Sequence, residues 1–365
     1  MYTKRLSRLI EQAAAHGLDA LALMPGPNLF YLTGLSFHLS ERPIVALLPV
    51  DAPPVIVLPA LEAVKVEQAT VALDVFPYTD EEGYPPAFQS ACASLSLADS
   101  SIGVELLRMR LLEAHLLERH APGCQLVPAG EVLAEQRMRK DEYELKQMRR
   151  AIAVTEAALR TTMRQVKAGM TERQVAALMT VEMLQAGGET MAFAPIVVAG
   201  PNAASPHSIP TDRSIQMGET IIVDCGATVG GYAADITRTF ALGALQPELA
   251  RVHEVVRAAN AAGRAAAGPE VPAEQVDQAA RAVIEEAGYG EYFIHRTGHG
   301  LGLETHEPPF IVAGNECPLE PGMTFTIEPG IYLPGQGGVR IEDDVLVTPT
   351  GAESLTTFPR SLTDL

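Results

Sequence analysis

The sequence predicts two domains of different build: an α/β domain at the N-terminus, then a domain in which long helices share the chain with antiparallel hairpins. Three observations lead there. Helix-like and strand-like segments alternate over the first 130 residues, a long helical period opens at Asp141-Glu142, and two later stretches carry β-branched runs on either side of a glycine turn. At 365 residues, 47% of them hydrophobic, the chain is long and apolar enough to bury two cores.

Leu6, Leu9, Ile10, Ala13 and Ala14 recur at helical spacing, and Leu18 to Met24, Pro43 to Pro49 and Val55 to Leu58 read as short buried strands. No phosphate-cradling glycine loop follows any of these strands. The join falls in Val127 to Arg137, which gives a first domain over 1–130, a linker over 131–137 and a second domain over 138–365. The helix opening the second domain runs through Leu145, Met148, Ile152, Thr155, Leu159 and Met163 towards Gly169. Thr171-Glu172-Arg173-Gln174-Val175 carries a capping-box signature and leads to Ala186-Gly187; Pro272-Ala273-Glu274-Gln275-Val276 leads to Ala287-Gly288 at the same offset, a faint internal duplication.

Five residues in this second domain carry the chemistry: Asp224, Asp235, His299, Glu328 and Glu342. Thr220 to Asp224 is an apolar, β-branched run, Gly230-Gly231 is a turn signal, and Tyr232 to Thr237 resumes an extended pattern. A hairpin centred near Val229 and Gly230 sets Asp224 opposite Asp235, side chains on one face. Phe325 to Glu328 and Val339 to Glu342 repeat the arrangement about Pro334-Gly335-Gln336, with Gly335 central. Alternation then puts Glu328 with Tyr332 and Glu342 with Arg340 on a polar face, while Phe325, Ile327, Val339 and Ile341 face the other way. Carboxylates paired like this repel unless something positive lies between them. An oxygen-rich set with one imidazole suits two hard or borderline divalent metals, which points to a dinuclear metallohydrolase.

These residues sit in longer signatures: Ile222-Val223-Asp224-Cys225-Gly226 with Asp235-Ile236-Thr237-Arg238-Thr239-Phe240; His295-Arg296-Thr297-Gly298-His299-Gly300-Leu301-Gly302-Leu303 with His306-Glu307; Thr326-Ile327-Glu328-Pro329-Gly330-Ile331-Tyr332; and Gly338-Val339-Arg340-Ile341-Glu342-Asp343-Asp344. In order and spacing they resemble the pita-bread metallopeptidases, in the Xaa-Pro branch that holds aminopeptidase P and prolidase. Asn28-Leu29-Phe30-Tyr31-Leu32-Thr33-Gly34 looks like the segment that opens that family's first domain. The resemblance implies a creatinase-like α/β N-terminal domain and an α+β pita-bread catalytic domain with an internal pseudo-two-fold.

By that resemblance Asp224 chelates one metal, Asp235 and Glu342 bridge two, and His299 and Glu328 complete the second site. Two dications bring a charge of +4 against four carboxylates, and the pair lowers the pKa of a bound water. Glu328 is then the general base and proton shuttle. Manganese suits ligands without thiolates, with Co(II) or Zn(II) as competitors. His207 is expected to hold the substrate carbonyl or stabilise the oxyanion, His306 to contact the scissile bond and His295 to line the proline pocket. Tyr332 and Arg340 are expected to stand behind the ligands, Arg340 orienting carboxylates through paired hydrogen bonds. His16, His38, His115, His120 and His253 receive no role. An HxxxH zinc helix at His295 and His299 is opposed by Gly298, Gly300 and Gly302, and no H-E-x-x-H occurs.

A formal charge of -18 argues against a nucleic-acid partner and favours cationic ions or a peptide amino terminus. Cys92, Cys124, Cys225 and Cys317 are scattered without paired spacing, and no apolar run is long enough to span a membrane, so a cytoplasmic protein is expected, as a homodimer acting on peptides with proline second. Within the family, prolidases need a cation for the free prolyl carboxylate and often place an arginine after the second histidine. Glu307 to Glu320 contains no arginine or lysine, which leans the reading to aminopeptidase P, with Xaa-Pro-Xaa cleaved faster than Xaa-Pro; prolidase is the alternative. A binding protein or a metal-free, creatinase-like hydrolase is a remote alternative, disfavoured by retention of all five ligands.

Overall fold

The structure is a computed structural model and describes residues 1–67 and 69–365. The chain divides into two compact units, Met1–Arg137 and Met138–Leu365.

In the first unit β1 (Ala20–Leu23), β2 (Val45–Pro49), β3 (Val55–Pro59), β4 (Asp74–Tyr78), β5 (Ser101–Val104) and β6 (Gln125–Pro128) form one mixed sheet in the order β4-β3-β2-β1-β5-β6. The central strands are buried at every residue, so they read as continuous apolar runs instead of alternating ones. Helix α1 (Tyr2–Ala15) buries Leu6, Leu9 and Ala13. The Asn28–Gly34 motif forms α2 (Pro27–Thr33), closed by Gly34 in the left-handed region. Further helices are α3 (Ala63–Glu67), α4 (Pro85–Ser94) and α5 (Leu111–His120).

Residues 131–137 are not the linker expected from the sequence; they belong to α6 (Gly130–Met138). This helix is tied into the first unit: Gln12 Nε2 donates to Glu135 Oε2 at 2.9 Å and Tyr31 Oη donates to the Gln136 carbonyl at 2.9 Å. The sequence offers it no turn residue after Gly130, and such satisfied, partly buried backbone is what a free linker lacks.

The second unit opens with α7 (Glu142–Met163), started by a capping box between Asp141 and Glu144, and α8 (Glu172–Gln185), started by one between Thr171 and Gln174. The pair recurs as α9 (Pro247–Ala266) and α10 (Ala273–Glu286); α8 and α10 are each 14 residues long and each is followed by a positive-φ glycine, Gly187 or Gly288. Strands β7 (Thr190–Met191), β8 (Ile196–Ala199), β9 (Glu219–Cys225), β10 (Ala227–Val229), β11 (Tyr232–Ala233) and β12 (Ile236–Leu242) precede α9. After α10 come β13 (Gly298–Gly300), β14 (Glu307–Ile311), β15 (Thr324–Ile327), β16 (Gly330–Leu333), β17 (Gly337–Arg340), β18 (Asp343–Thr348), β19 (Gly351–Ser354) and β20 (Thr363–Asp364). The two main sheets are β20-β12-β9-β8 and β14-β13-β15-β18-β19. Among the described residues, no helix is long and apolar enough to cross a membrane.

Both acidic hairpins exist, with one register corrected. Gly230 and Gly231 both have positive φ, 60 and 82°, and form a two-residue turn closed by the Val229–Tyr232 pair. That moves the centre one residue along from the expected point, so Asp224 lies opposite Thr237 and not opposite Asp235. In the second hairpin Gly335 sits at the turn with φ 74°, as the even separation requires, and Gly330 pairs with Arg340. The same register continues in β15–β18, where Ile327 pairs with Asp343. Glu328 and Glu342 occupy the gap between these two ladders.

Close packing around the histidine strand leaves no room for a side chain at Gly298, where a Cβ would stand 1.8 Å from the Thr326 carbonyl oxygen; at Gly351 it would meet nothing within 4 Å. Gly298→Ala is expected to destabilise the fold by about 3 kcal/mol or more, and Gly351→Ala to stay within about 0.5 kcal/mol. Urea unfolding of the metal-free protein measures both, and equal midpoints would contradict this packing.

Candidate metal centre

Asp235, His299 and Glu342 are 4%, 3% and 2% exposed, and each offers a ligand atom within 4.8 Å of the other two. Glu328 joins them through His299 Nε2, 3.2 Å from Glu328 Oε1, while Asp235 Oδ2 lies 3.9 Å from the same nitrogen. Asp224 is held by Arg340, whose Nη2 donates to Asp224 Oδ2 at 2.5 Å. All five residues singled out in the sequence are therefore assembled around one buried spot.

The ladders explain how backbone delivers these side chains. In the gap of the second hairpin the Glu342 N–H donates to the Thr237 carbonyl at 3.0 Å and the Glu328 N–H to the Thr297 carbonyl at 2.8 Å. Each glutamate thus leaves its own ladder to bond a neighbouring segment, the first hairpin for Glu342 and the approach to β13 for Glu328. Asn260, on α9, donates to the Ile327 and Ile341 carbonyls at 3.0 and 3.3 Å, satisfying groups that the gap strips of partners. His299 Nδ1 faces the Gly300 carbonyl at 3.2 Å, which assigns it the proton and leaves the Nε2 lone pair to the acidic cluster.

Asp224 Oδ1 and Asp235 Oδ1 are buried and have no hydrogen-bond partner among the described residues. Burial pushes Asp235 and Glu342 well above the usual carboxylate range, and the neighbouring carboxylates push them further. Asp224 is also raised, by burial first, against the pull of Arg340. Buried acceptor oxygens without donors, inside converging negative charge, are what a divalent cation satisfies. Cys225 adds no thiolate, because burial and then the Asp224 and Asp235 charges hold its pKa well up. Glu328 behaves differently: burial raises it, but the His299 hydrogen bond and the His299, His295 and Arg340 charges outweigh that and hold it at about 2. The imidazole share of that support requires charged rings; a neutral His295, and a His299 that gives Nε2 to a cation, withdraw it and leave Arg340 against burial.

Behind the ligands runs a hydrogen-bonded chain. Arg340 Nη1 donates to Tyr332 Oη at 3.0 Å, Tyr332 Oη lies 2.9 Å from His295 Nε2, and His295 Nδ1 lies 2.7 Å from the Arg296 carbonyl. With Nδ1 donating to that carbonyl and Nε2 accepting from the phenol, His295 is neutral, in line with a pKa lowered chiefly by burial. Both its nitrogens being engaged, it has ring carbon to offer a ligand. His306 stacks edge-on to His299 with ring centroids 4.2 Å apart; burial and the His299 charge lower its pKa to about 4, so it is neutral at pH 7. His207 is exposed, on the loop that follows β8. Thr237 was not singled out in the sequence, yet its Oγ1 donates to Glu342 Oε2 at 2.6 Å and accepts from Arg340 Nε at 3.1 Å. Counting Gly230-Gly231 as a two-residue turn would have found it, since that register puts Thr237 opposite Asp224. Thr326 was missed likewise: its Oγ1 accepts from the His299 N–H at 3.1 Å and lies 3.2 Å from Glu328 Oε1.

Comparison with known proteins places both units in described families. Residues 146–349 match the model of metallopeptidase family M24, and residues 5–139 match the creatinase/prolidase N-terminal domain. A probable dipeptidase PepE of Mycobacterium tuberculosis is 38% identical over 99% of this chain and 96% of its own. A prolidase structure from Thermococcus sibiricus superposes with a TM-score of 0.96 at 34% identity, covering 100% of this chain and 99% of that one. An X-Pro aminopeptidase from Thermotoga maritima gives 0.85 at 32% identity, covering 97% of this chain and 100% of that one. The lean to aminopeptidase P drawn from the missing cation is thus not the better supported branch: the PepE relative is more identical to this chain than the aminopeptidase is, and the Thermococcus sibiricus prolidase matches better in both identity and TM-score.

The raised carboxylates fix a pH dependence. In the metal-free protein Asp235 and Glu342 keep protons that the unfolded chain has already lost near pH 4 to 5, so native stability falls as pH rises from the unfolded pKa towards the folded one. A bound cation displaces those protons. The rise in Tm on adding manganese is therefore expected to be larger at pH 8 than at pH 5.5. Thermal scans of stripped and reconstituted protein read this directly, and a rise that shrinks with pH would contradict it.

Proposed function

We propose, for a chain that belongs to metallopeptidase family M24 and carries its creatinase/prolidase N-terminal domain, that it is an Xaa-Pro dipeptidase dependent on two divalent metal ions. The carrying observation is the convergence of Asp235, His299 and Glu342, flanked by Glu328 and Asp224, in a chain matched along its length by dipeptidase and prolidase relatives. Aminopeptidase P, with the same chemistry on longer peptides, is the competing reading.

Asp224, Asp235, His299, Glu328 and Glu342 would hold the ions. Oxygen and imidazole donors without a thiolate favour manganese. When bound, the ions lower the pKa of a water and polarise the scissile carbonyl. Glu328 takes the proton of the attacking water on its carboxylate and returns it to the leaving prolyl nitrogen. Neutral His306 donates an N–H to the carbonyl oxygen as charge grows there, and His207 supports the same oxygen. His295 gives ring carbon to the pyrrolidine, and Arg340 with Tyr332 keeps Asp224 and His295 in place.

In assays with manganese, kcat/KM for Ala-Pro should exceed that for Ala-Pro-Ala by about tenfold or more, the value of one charged hydrogen bond to the free carboxylate. Ala-Ala should be poor. Faster cleavage of the tripeptide would move the enzyme to the aminopeptidase side.

His306→Ala and His207→Ala should each lower kcat by about a hundredfold while bound manganese stays at the wild-type level. Metal loss in either variant would turn that histidine into a ligand and contradict its assigned role.

A further inference from the structure

A dipeptide brings a free carboxylate into an acidic protein, and the metal ligands give it no partner. Burying such a group without a cation is costly. Glu307 to Glu320 has no basic side chain. Lys140 is committed elsewhere, donating to Glu307 Oε1 at 2.7 Å with both side chains buried. Arg340 is committed to Asp224, Tyr332 and Thr237.

Arg296 differs from both. Its guanidinium lies over the Phe310 ring, 4.7 Å from the centroid, and no hydrogen-bond or carboxylate partner for its side chain is found among the described residues. Phe310 is the cross-strand neighbour of His299 on β14, so the stacked guanidinium is anchored beside the histidine ligand. The Arg296 backbone carbonyl accepts the His295 Nδ1 proton, fixing the same short segment to the proline-lining ring. Electrostatics agree: burial lowers the Arg296 pKa, the Glu328 charge opposes that, and Arg296 in turn helps depress His306. A half-buried guanidinium with its donors unspent, stacked and therefore already oriented, is prepared for a planar, two-oxygen anion.

Building on the dipeptidase reading, we propose that Arg296 is the specificity-determining residue that binds the free carboxylate of the Xaa-Pro substrate, positioned by stacking on Phe310. The cation missing from the segment after His306 is thereby supplied from the segment before His299, across the face of the aromatic residue on β14. A longer peptide places a neutral amide at this point and leaves the guanidinium without its counter-charge.

The test uses the full-length, manganese-reconstituted enzyme and its Arg296→Ala and Arg296→Lys variants, with Ala-Pro and Ala-Pro amide as substrates. Tm and bound metal are measured alongside. Wild type should prefer Ala-Pro; Arg296→Ala should raise KM for Ala-Pro about tenfold or more, leave the amide within about twofold, and keep metal and Tm. Arg296→Lys should recover part of the loss, because it keeps the charge without the fork; it also decides the matter if the alanine variant fails to fold. Wild-type preference for Ala-Pro that survives in the variants, or equal losses on both substrates, would overturn the role of Arg296 and leave the dipeptidase reading standing. A wild type that prefers the amide would overturn the dipeptidase reading itself, and this proposal with it.

Discussion

The second unit is organised around carboxylates held out of water within reach of one another, and the protein neutralises them unequally. Glu342, Asp343 and Asp344 are consecutive, all buried, and have three different fates. Asp343 faces Arg238 at 2.8 Å and Arg360 at 2.6 Å, and those charges outweigh burial and keep it low. Asp344 accepts the Asp235 N–H at 3.2 Å but has no cation as near, so burial holds it well up. Glu342 receives a hydroxyl from Thr237 and shares the field of Asp224 and Glu328. Arginines thus satisfy the periphery, on Asp224 and Asp343, while Asp235 and Glu342 at the centre keep their charge deficit. A structure built only for stability would not concentrate its unmet charge there, because a buried, unpaired carboxylate costs several kcal/mol, ~3–5 when a partner is lacking.

Backbone geometry makes that concentration tolerable. Interrupting a ladder leaves N–H and C=O groups that must be paid for elsewhere, and the gap between β15–β18 and β16–β17 does so with the Thr237 and Thr297 carbonyls and the Asn260 amide. The same bonds link the two hairpins, so the position of Glu342 depends on the first hairpin as well as on its own. Arg340 and Thr239 add a reciprocal pair, the Arg340 N–H donating to Thr239 Oγ1 and that hydroxyl donating to the Arg340 carbonyl. The carboxylate set therefore depends on two hairpins joined by hydrogen bonds, with His299 added from β13.

Much of this was legible in the sequence where a local rule acts alone. The buried strands of the first unit, the start of α7 at Asp141, the capping box of α8 and the turn at Gly335 each follow from a few adjacent residues. The register of the first hairpin was misread because Gly230-Gly231 admits two turn centres, and only two positive φ values choose between them. The helix over residues 130–138 was missed because its partners, Gln12, Asn28 and Tyr31, are more than a hundred positions away. Asn260 and Thr237 were missed for the same reason: neither belongs to an acidic or histidine pattern, and each acquires its role only from carbonyls and carboxylates delivered by distant segments.

The duplicated helix pairs clarify which parts of the site are frame and which are choice. Each repeat supplies two helices in contact and a hairpin bearing an acidic pair, Asp224 with Asp235 and Glu328 with Glu342. Four carboxylates are thus what the repeated frame produces. The histidines and Arg296 break that symmetry: His295, Arg296, His299 and His306 all fall between α10 and β15. That stretch carries the His299 imidazole beside the acidic cluster, the His295 ring with both nitrogens engaged, the neutral His306 ring and the Arg296 guanidinium stacked on Phe310 within a short span. The carboxylates thus come from the repeated frame, and the imidazoles and guanidinium beside them come from this one stretch. Frame and stretch meet at Glu328, whose N–H donates to the Thr297 carbonyl and whose Oε1 lies 3.2 Å from His299 Nε2, whereas Asp224 and Glu342 are tied through Arg340 and Thr237 instead.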